Sequence, residues 1–259
     1  MKYLVIDKRM RDIEKNTLRN LGYEFIEINK NHNVYPEISS HVDIFTCKIN
    51  NKIIAEKHIY EVLKNTFKNN IAIQGNAQVQ GDYPNDIGYN VCIVGNKAIH
   101  NFKYTDNKII NELQKQNFEL INVKQGYSNC SIAVIDENSI ILSDRGLYNI
   151  LKNSGLDILF LDYIPNIKLF NADGKYSKKN GFIGGAIARI EDSIFVFGDL
   201  DKIDCNGCIR EFIRNRGLDV IDFKGLDVVD YGGVLETWKW INTSKLFYNT
   251  NLALYYWHC

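Results

Sequence analysis

The chain has 259 residues, with 31 basic and 31 acidic side chains and ordinary apolar and aromatic fractions for a globular protein. Its formal net charge of zero gives no indication of the phosphate-binding surface on which nucleic-acid affinity depends. A protein with zero net charge can still have a charged cleft, so the composition does not exclude binding of a small charged ligand.

The N-terminal apolar run is too short for a signal peptide, and charged residues follow it at once. No stretch approaches the length needed to span a bilayer. We therefore expect a cytoplasmic protein whose six cysteines are mostly reduced thiols. The abundance of Asn, Ile and Lys is typical of an AT-rich bacterial genome.

Five times along the chain, a segment with helical spacing of apolar residues precedes a segment rich in strand formers. The helical segments begin near Met10, Ile59, Ile109, Leu147 and Ile209. The strand segments are Gly22–Ile28, Asn70–Gln74, Asn117–Val123, Gly155–Leu161 and Gly217–Phe223. Gly22, Gly155 and Gly217 stand where a helix ends with a left-handed cap.

Between these pieces lie segments that the pattern predicts to be β-hairpins, because turn residues separate alternating apolar runs. Their first strands are His41–Ile49, Tyr89–Val94, Cys130–Ile135, Gly184–Ile190 and Val234–Ile241, the last turning near Asn242. The first four return in the strands Lys52–Glu56, Lys97–Asn101, Ser139–Leu142 and Ser193–Phe197.

The repeating unit is therefore strand, strand, helix, strand, with a period typical of propellers or solenoids. The chain begins with a strand, a helix and a strand, and it ends with the start of a hairpin. Joined together, the two ends complete a fifth unit and close the ring. The sequence thus predicts an α+β fold: one domain over residues 1–259, built as a closed five-unit α/β propeller. The alternative, two separate α/β domains, is less favoured because the five similar units show no natural break between domains.

A ring of five such units resembles the pentein, or guanidino-group-modifying, superfamily, which includes arginine deiminases, dimethylargininases, agmatine deiminases and amidinotransferases, and a non-catalytic ribosome-binding initiation factor. The segment His41–Phe45 is similar to the His-x-Asp strand that those enzymes carry at the axis. The segment Asp230–Glu236 is similar to their Gly-Gly-x-x-Cys turn, with Glu236 in place of the nucleophile. As a whole, the chain is most similar to a bacterial branch of the superfamily.

Aligning the hairpins on their turns and counting back seven residues predicts which side chains meet at the axis. The count gives Asp43, Gly88 or Tyr89, Cys130, Gly184 and Glu236. His41 shares a strand face with Asp43, because side chains alternate along a strand. A thiolate is a natural nucleophile for a guanidinium carbon, and carboxylates bind a guanidinium through paired hydrogen bonds.

We therefore expect Cys130 as the nucleophile, with the resemblance implying an acid–base role for His41. Substrate contacts are expected from Asp43, Glu236, Tyr89, Asn90, Gly184 and Gly233. The arrangement departs from the family, because the unit next to His41 offers only Cys92, which lies deeper, and Cys130 lies one unit further round. Cys92 is expected to be a buried core residue.

Neither a cofactor nor a metal is expected. Cys205 and Cys208, even with His258 and Cys259, make a poor zinc signature, so we interpret them as ordinary thiols. The polar stretch Asn171–Asn180 is interpreted as a solvated loop, with a lid over the axis as the alternative.

Two functions remain open at this point. The first is a cysteine-dependent hydrolase or transferase that acts on a guanidino or related small amine compound. The second is a non-catalytic ring that binds a small ligand or a protein partner, because one scaffold hosts both. In both cases the ligand site lies at the axis, no nucleic acid or membrane is involved, and the sequence indicates no oligomeric state.

Overall fold

A computed structural model describes residues 1–67 and 71–238. Eight α-helices are found in these residues: α1 (Asp12–Asn20), α2 (Val42–Phe45), α3 (Lys57–Thr66), α4 (Asn107–Lys115), α5 (Ser128–Ser131), α6 (Arg145–Leu151), α7 (Ile183–Ala186) and α8 (Cys208–Arg214). None of them is both long enough and apolar enough to cross a bilayer.

The same residues form seventeen strands. They are β1 (Lys2–Asp7), β2 (Tyr23–Ile28), β3 (Thr46–Ile49), β4 (Lys52–Ala55), β5 (Ala72–Gln74), β6 (Cys92–Val94), β7 (Lys97–His100), β8 (Glu119–Asn122), β9 (Ile132–Val134), β10 (Ser139–Leu142), β11 (Asp157–Phe160), β12 (Lys168–Phe170), β13 (Tyr176–Asn180), β14 (Ile187–Ile190), β15 (Ser193–Val196), β16 (Asp219–Ile221) and β17 (Leu235–Trp238).

Fifteen of the strands form five three-stranded sheets of one topology. In each sheet the middle strand pairs antiparallel with one neighbour and parallel with the other, and a helix connects the parallel pair. The sheets are β17-β1-β2, β3-β4-β5, β6-β7-β8, β9-β10-β11 and β14-β15-β16. This is the α+β repeat of strand, strand, helix and strand that the periodicity predicts.

The first of these sheets joins the two ends of the chain. Strand β17 pairs antiparallel with β1, with Leu4 opposite Glu236, and β1 runs parallel to β2. The shared unit expected from the sequence is therefore present in the strand pairing. The predicted turn near Asn242 lies outside the described residues.

Local sequence explains where the connecting helices begin and end. The side chains of Glu56, Asp106 and Asp144 accept hydrogen bonds from the first-turn amides of α3, α4 and α6. Gly22 and Gly155 follow α1 and α6 with φ of 87° and 81°, in the left-handed region that favours glycine. The buried apolar residues of α4 and α6 pack in clusters that also contain strands of the preceding sheet.

The segments before the first strands differ from the sequence prediction. Residues 41–45 were expected to be extended, but Val42–Phe45 is a single helical turn, and so are Ser128–Ser131 and Ile183–Ala186. All four residues of α2 are buried. Apolar periodicity cannot distinguish a short, fully buried helix from a strand, which is why the prediction was wrong here.

The sequence predicts a loop over Asn171–Asn180, but its second half, Tyr176–Asn180, is strand β13, which pairs antiparallel with β12 outside the five repeats. Its strand Tyr176–Asn180 is almost entirely polar and largely exposed, so no apolar alternation marked it. The hairpin is held to the N-terminal segment by Arg9, whose guanidinium donates to the Phe170 carbonyl oxygen (2.9 Å).

Candidate functional site

The turn helices α2 and α5 bring an acid and a thiol into direct contact. The Cys130 thiol donates to Asp43 Oδ2 at 2.8 Å. The amide of Asn90 donates to Cys130 Sγ at 3.2 Å, and Asn129 donates to Asp43 Oδ2 at 3.3 Å. Both Cys130 and Asp43 are buried. Cys130, Asp43 and Asn90 therefore meet as the sequence analysis expects, although through helical turns and not along strands.

His41 lies beside this pair at the N-terminus of α2, only 1% exposed. Atoms of His41, Asp43 and Cys130 lie within 4.8 Å of one another. Neither ring nitrogen of His41 has a hydrogen-bond partner among the described residues, and neither does Asp43 Oδ1. Buried polar atoms are normally paired, so such unpaired atoms together are typical of a site that completes its contacts with a ligand.

A second carboxylate, Asp230, stands on the other side of His41. Its Oδ1 lies 3.7 Å from His41 Nδ1, and its two oxygens accept from the backbone amides of Gly232 and Phe182, each at 2.8 Å. Asp230 is not among the residues expected from the sequence, because the count of seven residues back from the hairpin turn reaches Glu236. In the other units the site residues stand just before the first strand, and that position could have indicated Asp230.

Glycines make room for these side chains. A Cβ on Gly185 would overlap the Asp230 carboxylate, and a Cβ on Gly232 would stand 2.5 Å from His41 Cβ. A Cβ on Gly184 would overlap the carbonyl oxygen of Asn129 and lie 2.6 Å from that of Cys130. The absence of a side chain at Gly184 therefore permits close backbone packing between α5 and α7.

Burial controls the protonation of the whole cluster. It raises the pKa of Asp43 to about 6, although hydrogen bonds from Cys130, Asn129 and Asn90 act the other way. Burial, together with the charge of Asp43, raises the pKa of Asp230 to about 7.

The thiol and the imidazole are neutral for the same reason. Burial and then the charge of Asp43 raise the pKa of the Cys130 thiol well above its ordinary value. Burial, followed by the charge of Arg9, lowers the pKa of His41 well below its ordinary value. The resting cluster is thus a thiol, an imidazole and two carboxyls that titrate near neutrality.

A cavity of about 270 Å³ opens onto this cluster. Its buried end is formed by His41, Cys130 and Asp230. Its outer end includes the more exposed Tyr35 and Phe182, together with the side chains of β13. This volume lies at the small end of the range for ligand pockets, so it suits a small molecule.

A separate cavity of about 300 Å³ is lined by the first strands of all five sheets, through residues such as Lys48, Ile93, Val134, Arg189 and Glu236. Asp43, Gly184 and Gly233 also border it. Here Glu236 accepts from the Tyr23 hydroxyl at 2.6 Å. The structure therefore places Glu236 apart from His41 and Cys130, and not beside them as the sequence analysis expected.

The remaining sequence candidates lie elsewhere. The Tyr89 hydroxyl donates to the Ala77 carbonyl oxygen at 2.7 Å, and its buried ring borders neither cavity. Cys92 is fully buried in β6, and burial raises its pKa. Cys205 is exposed just before α8, and Cys208, the first residue of α8, is half-buried, whereas His258 and Cys259 lie outside the described residues.

Two groups of side chains have a spacing compatible with a metal ion in the described part of the chain. One is His41, Asp43 and Cys130, a mixed nitrogen, oxygen and sulfur set. The other is Asp199, Asp201 and Asp222, whose charges are paired with Lys224 and Arg210. Only the first group combines a nucleophile, an acid–base residue and unpaired atoms.

A family model described as "Family of unknown function (DUF6873)" matches residues 5–235. No curated protein matches the chain in sequence. Solved structures do match, among them a Pseudomonas aeruginosa dimethylarginine dimethylaminohydrolase variant complexed with citrulline (12% identity, TM-score 0.52, 87% of this chain and 91% of that one). A C. jejuni agmatine deiminase variant with substrate bound is similar as well (12% identity, TM-score 0.52, 92% and 93%).

A dimethylarginine dimethylaminohydrolase adduct with S-methyl-L-thiocitrulline also matches (11% identity, TM-score 0.52, 87% of this chain and 92% of that one). At these identities the likeness shows the fold. The chain has the pentein fold that the sequence resemblance implied.

Proposed function

We propose that this chain, which belongs to the family of unknown function DUF6873, is an enzyme that cleaves or transfers an amidino group, with Cys130 as its nucleophile. The observation that carries the proposal is the contact of the Cys130 thiol with Asp43, beside His41 and Asp230, at the buried end of a cavity. The solved structures with this fold support it, since they include a dimethylarginine dimethylaminohydrolase and an agmatine deiminase.

The charge of the cluster favours a cationic substrate. Two carboxyls, Asp43 and Asp230, flank the thiol, and the neutral His41 adds no compensating charge. A guanidinium or amidinium placed between them would be held by charge-assisted hydrogen bonds. Its positive charge would also favour ionised carboxyls and a thiolate, so the substrate itself would lower the pKa of Cys130.

These positions support the following reaction. The Cys130 proton passes to an unpaired nitrogen of His41, and Sγ forms a bond to the central amidino carbon. The C–N bond to the leaving amine then breaks, and His41 returns the proton to that nitrogen. Water, deprotonated by His41, attacks the remaining thioimidate carbon. The C–S bond breaks, which releases a ureido product and restores the thiol; a second amine in place of water would give a transfer.

We further propose that the five sheets surround one axis as a closed propeller. The cavity that the first strands of all five sheets line supports this arrangement, as does the pairing of β17 with β1. In such a ring the turns before the first strands converge, which accounts for the meeting of α2, α5 and α7 with the Asp230 segment.

The proposal is tested by turnover of amidino compounds, such as methylated arginines and agmatine, measured as release of ammonia or amine. Cys130→Ser is expected to lower the rate by at least about a thousandfold, because a hydroxyl is a far weaker nucleophile than a thiol here. The matched control is Cys205→Ser, an exposed thiol outside both cavities, which should keep the wild-type rate. Wild-type turnover that survives Cys130→Ser would contradict the assignment.

A further inference from the structure

The outer part of the cavity contains a carboxylate that the proposed chemistry does not use. Glu37 lies in a 3₁₀ turn, Pro36–Ile38, and lines the same cavity as His41, Cys130 and Asp230. It is 7% exposed. Its Oε1 accepts from the Ser177 hydroxyl at 2.9 Å and lies 3.2 Å from Lys179 Nζ.

The other oxygen of Glu37, Oε2, is buried without a hydrogen-bond partner in residues 1–67 and 71–238. Burial alone would raise the pKa of Glu37, but hydrogen bonds from its own backbone, Ser177 and Lys179 leave that pKa below its ordinary value. The group is therefore an ionised carboxylate with one buried oxygen that has no hydrogen bond, on a residue that lines the cavity. A cation that donates hydrogen bonds is the natural partner for such an oxygen.

Hydrogen bonds from Arg9 to the backbone of the turn hold Glu37 in position. The Arg9 guanidinium donates to the carbonyl oxygens of Pro36 (3.0 Å) and Glu37 (2.8 Å) and to that of Phe170 in the β12-β13 hairpin. One arginine thus ties the turn to the hairpin that carries Ser177 and Lys179. A carboxylate held in this way needs no rearrangement to bind, which is the condition for a selective subsite.

Lys179 pairs with Oε1 and leaves Oε2 without a hydrogen bond. Its ammonium approaches Oε1, its side chain is 59% exposed, and it lies over the Tyr35 ring at 4.7 Å from the centroid. An ion pair with so exposed a partner is weak and competes poorly with a buried ligand. Tyr127 and Phe182, whose ring centroids are 6.2 Å apart, form apolar walls suited to methylene groups.

We propose that Glu37 is a second cation subsite, which selects substrates whose tail ends in an ammonium group while the amidino group lies between Asp43 and Asp230. This rests on the proposed function, since it uses the same cavity. The cavity then has an acidic group at each end and apolar side walls, and Glu37 determines specificity without taking part in the chemistry.

The test compares two probes of equal chain length, agmatine and butylguanidine, by calorimetric titration of the Cys130→Ser variant, which prevents turnover. We expect agmatine to bind at least about tenfold more tightly, as one added charge-assisted hydrogen bond implies. Glu37→Gln, which keeps size and shape, should abolish that preference and leave the affinity for butylguanidine within about twofold.

Arginine serves as a third probe, because its tail carries a carboxylate beside the ammonium. Its binding shows whether the subsite accepts only an amine or a whole amino-acid group. If a carboxylate beside the ammonium is also bound, Lys179→Gln should weaken arginine but leave agmatine unchanged; if arginine binds no better than butylguanidine, the subsite accepts an amine alone. Equal binding of agmatine and butylguanidine, or a preference that survives Glu37→Gln, would overturn the Glu37 proposal only. Failure of every guanidine to bind would overturn the proposed function and the subsite with it.

Discussion

At the scale of single residues, the cluster around Cys130 is defined by the cost of burying charge. Asp43 and Asp230 accept hydrogen bonds from neighbouring groups, yet both carboxyls titrate well above their usual range because neither has a cationic partner in contact. A bound cation would stabilise the ionised form of these two carboxylates, which is why a guanidinium suits the site.

The raised pKa of Asp230 has a consequence for stability. The folded state keeps this proton up to about pH 7, whereas the unfolded chain loses it near 3.8. Folded molecules therefore bind more protons over that window, and the contribution of Asp230 to stability is present below about pH 4 and lost as pH rises to about 7.

Asp230→Asn removes this loss. We expect the free energy of unfolding of the variant, relative to wild type, to rise by roughly 2–3 kcal/mol between pH 5 and pH 8. Chemical denaturation at a series of pH values measures it. The buried His41 titrates in the opposite sense in both proteins, so the comparison between them cancels its contribution. A pH-independent difference between the two proteins would mean that Asp230 is not buried as a protonated carboxyl.

At the scale of elements, the connecting helices and strands were predictable, because their apolar periodicity and glycine caps are local signals. The prediction that Cys130, Asp43 and His41 meet followed from the repeat. The one-turn helices that present these residues were not predictable, since each is four residues long, buried, and defined by contacts with other units. Because the pattern predicts strands for these segments, the set of residues predicted to meet beside His41 includes Glu236 and omits Asp230.

The packing of α7 against α5 gives a second test. Gly184→Ala would place a methyl group against the backbone carbonyls of Asn129 and Cys130, and neither can move without shifting the thiol. We expect a loss of about 2–3 kcal/mol of unfolding free energy and weaker guanidine binding. Thermal denaturation and ligand titration measure the two effects.

A matched control is Gly146→Ala in α6, where the nearest atom to the added methyl is a side-chain oxygen of Asp144 at 3.1 Å. Alanine favours a helix, so this change should be close to neutral. If both variants behave alike, the contact between the turn helices does not hold the thiol in place.

At the scale of the whole molecule, the sheet β17-β1-β2, which joins the two ends of the chain, is the feature that the sequence predicted best. Neither chain end contains a full unit, and the register of β17 with β1 supplies the missing strand. Less predictable was the β12-β13 hairpin, an addition to the repeat whose polar sequence carries no apolar alternation. This hairpin supplies Ser177 and Lys179, which contact Glu37. The Glu37 subsite therefore depends on a segment outside the five repeats, which apolar periodicity could not predict.

The central claim is that Cys130 attacks an amidino carbon, and a covalent intermediate is its most direct sign. The protein would be mixed with an amidino substrate, quenched in acid within the first turnover, and analysed by intact and peptide mass spectrometry. We predict an adduct with the mass of the substrate less its leaving amine, confined to the peptide that contains Cys130 and absent from Cys130→Ser. Turnover without an adduct on that peptide, or with an adduct on another cysteine, would contradict the account.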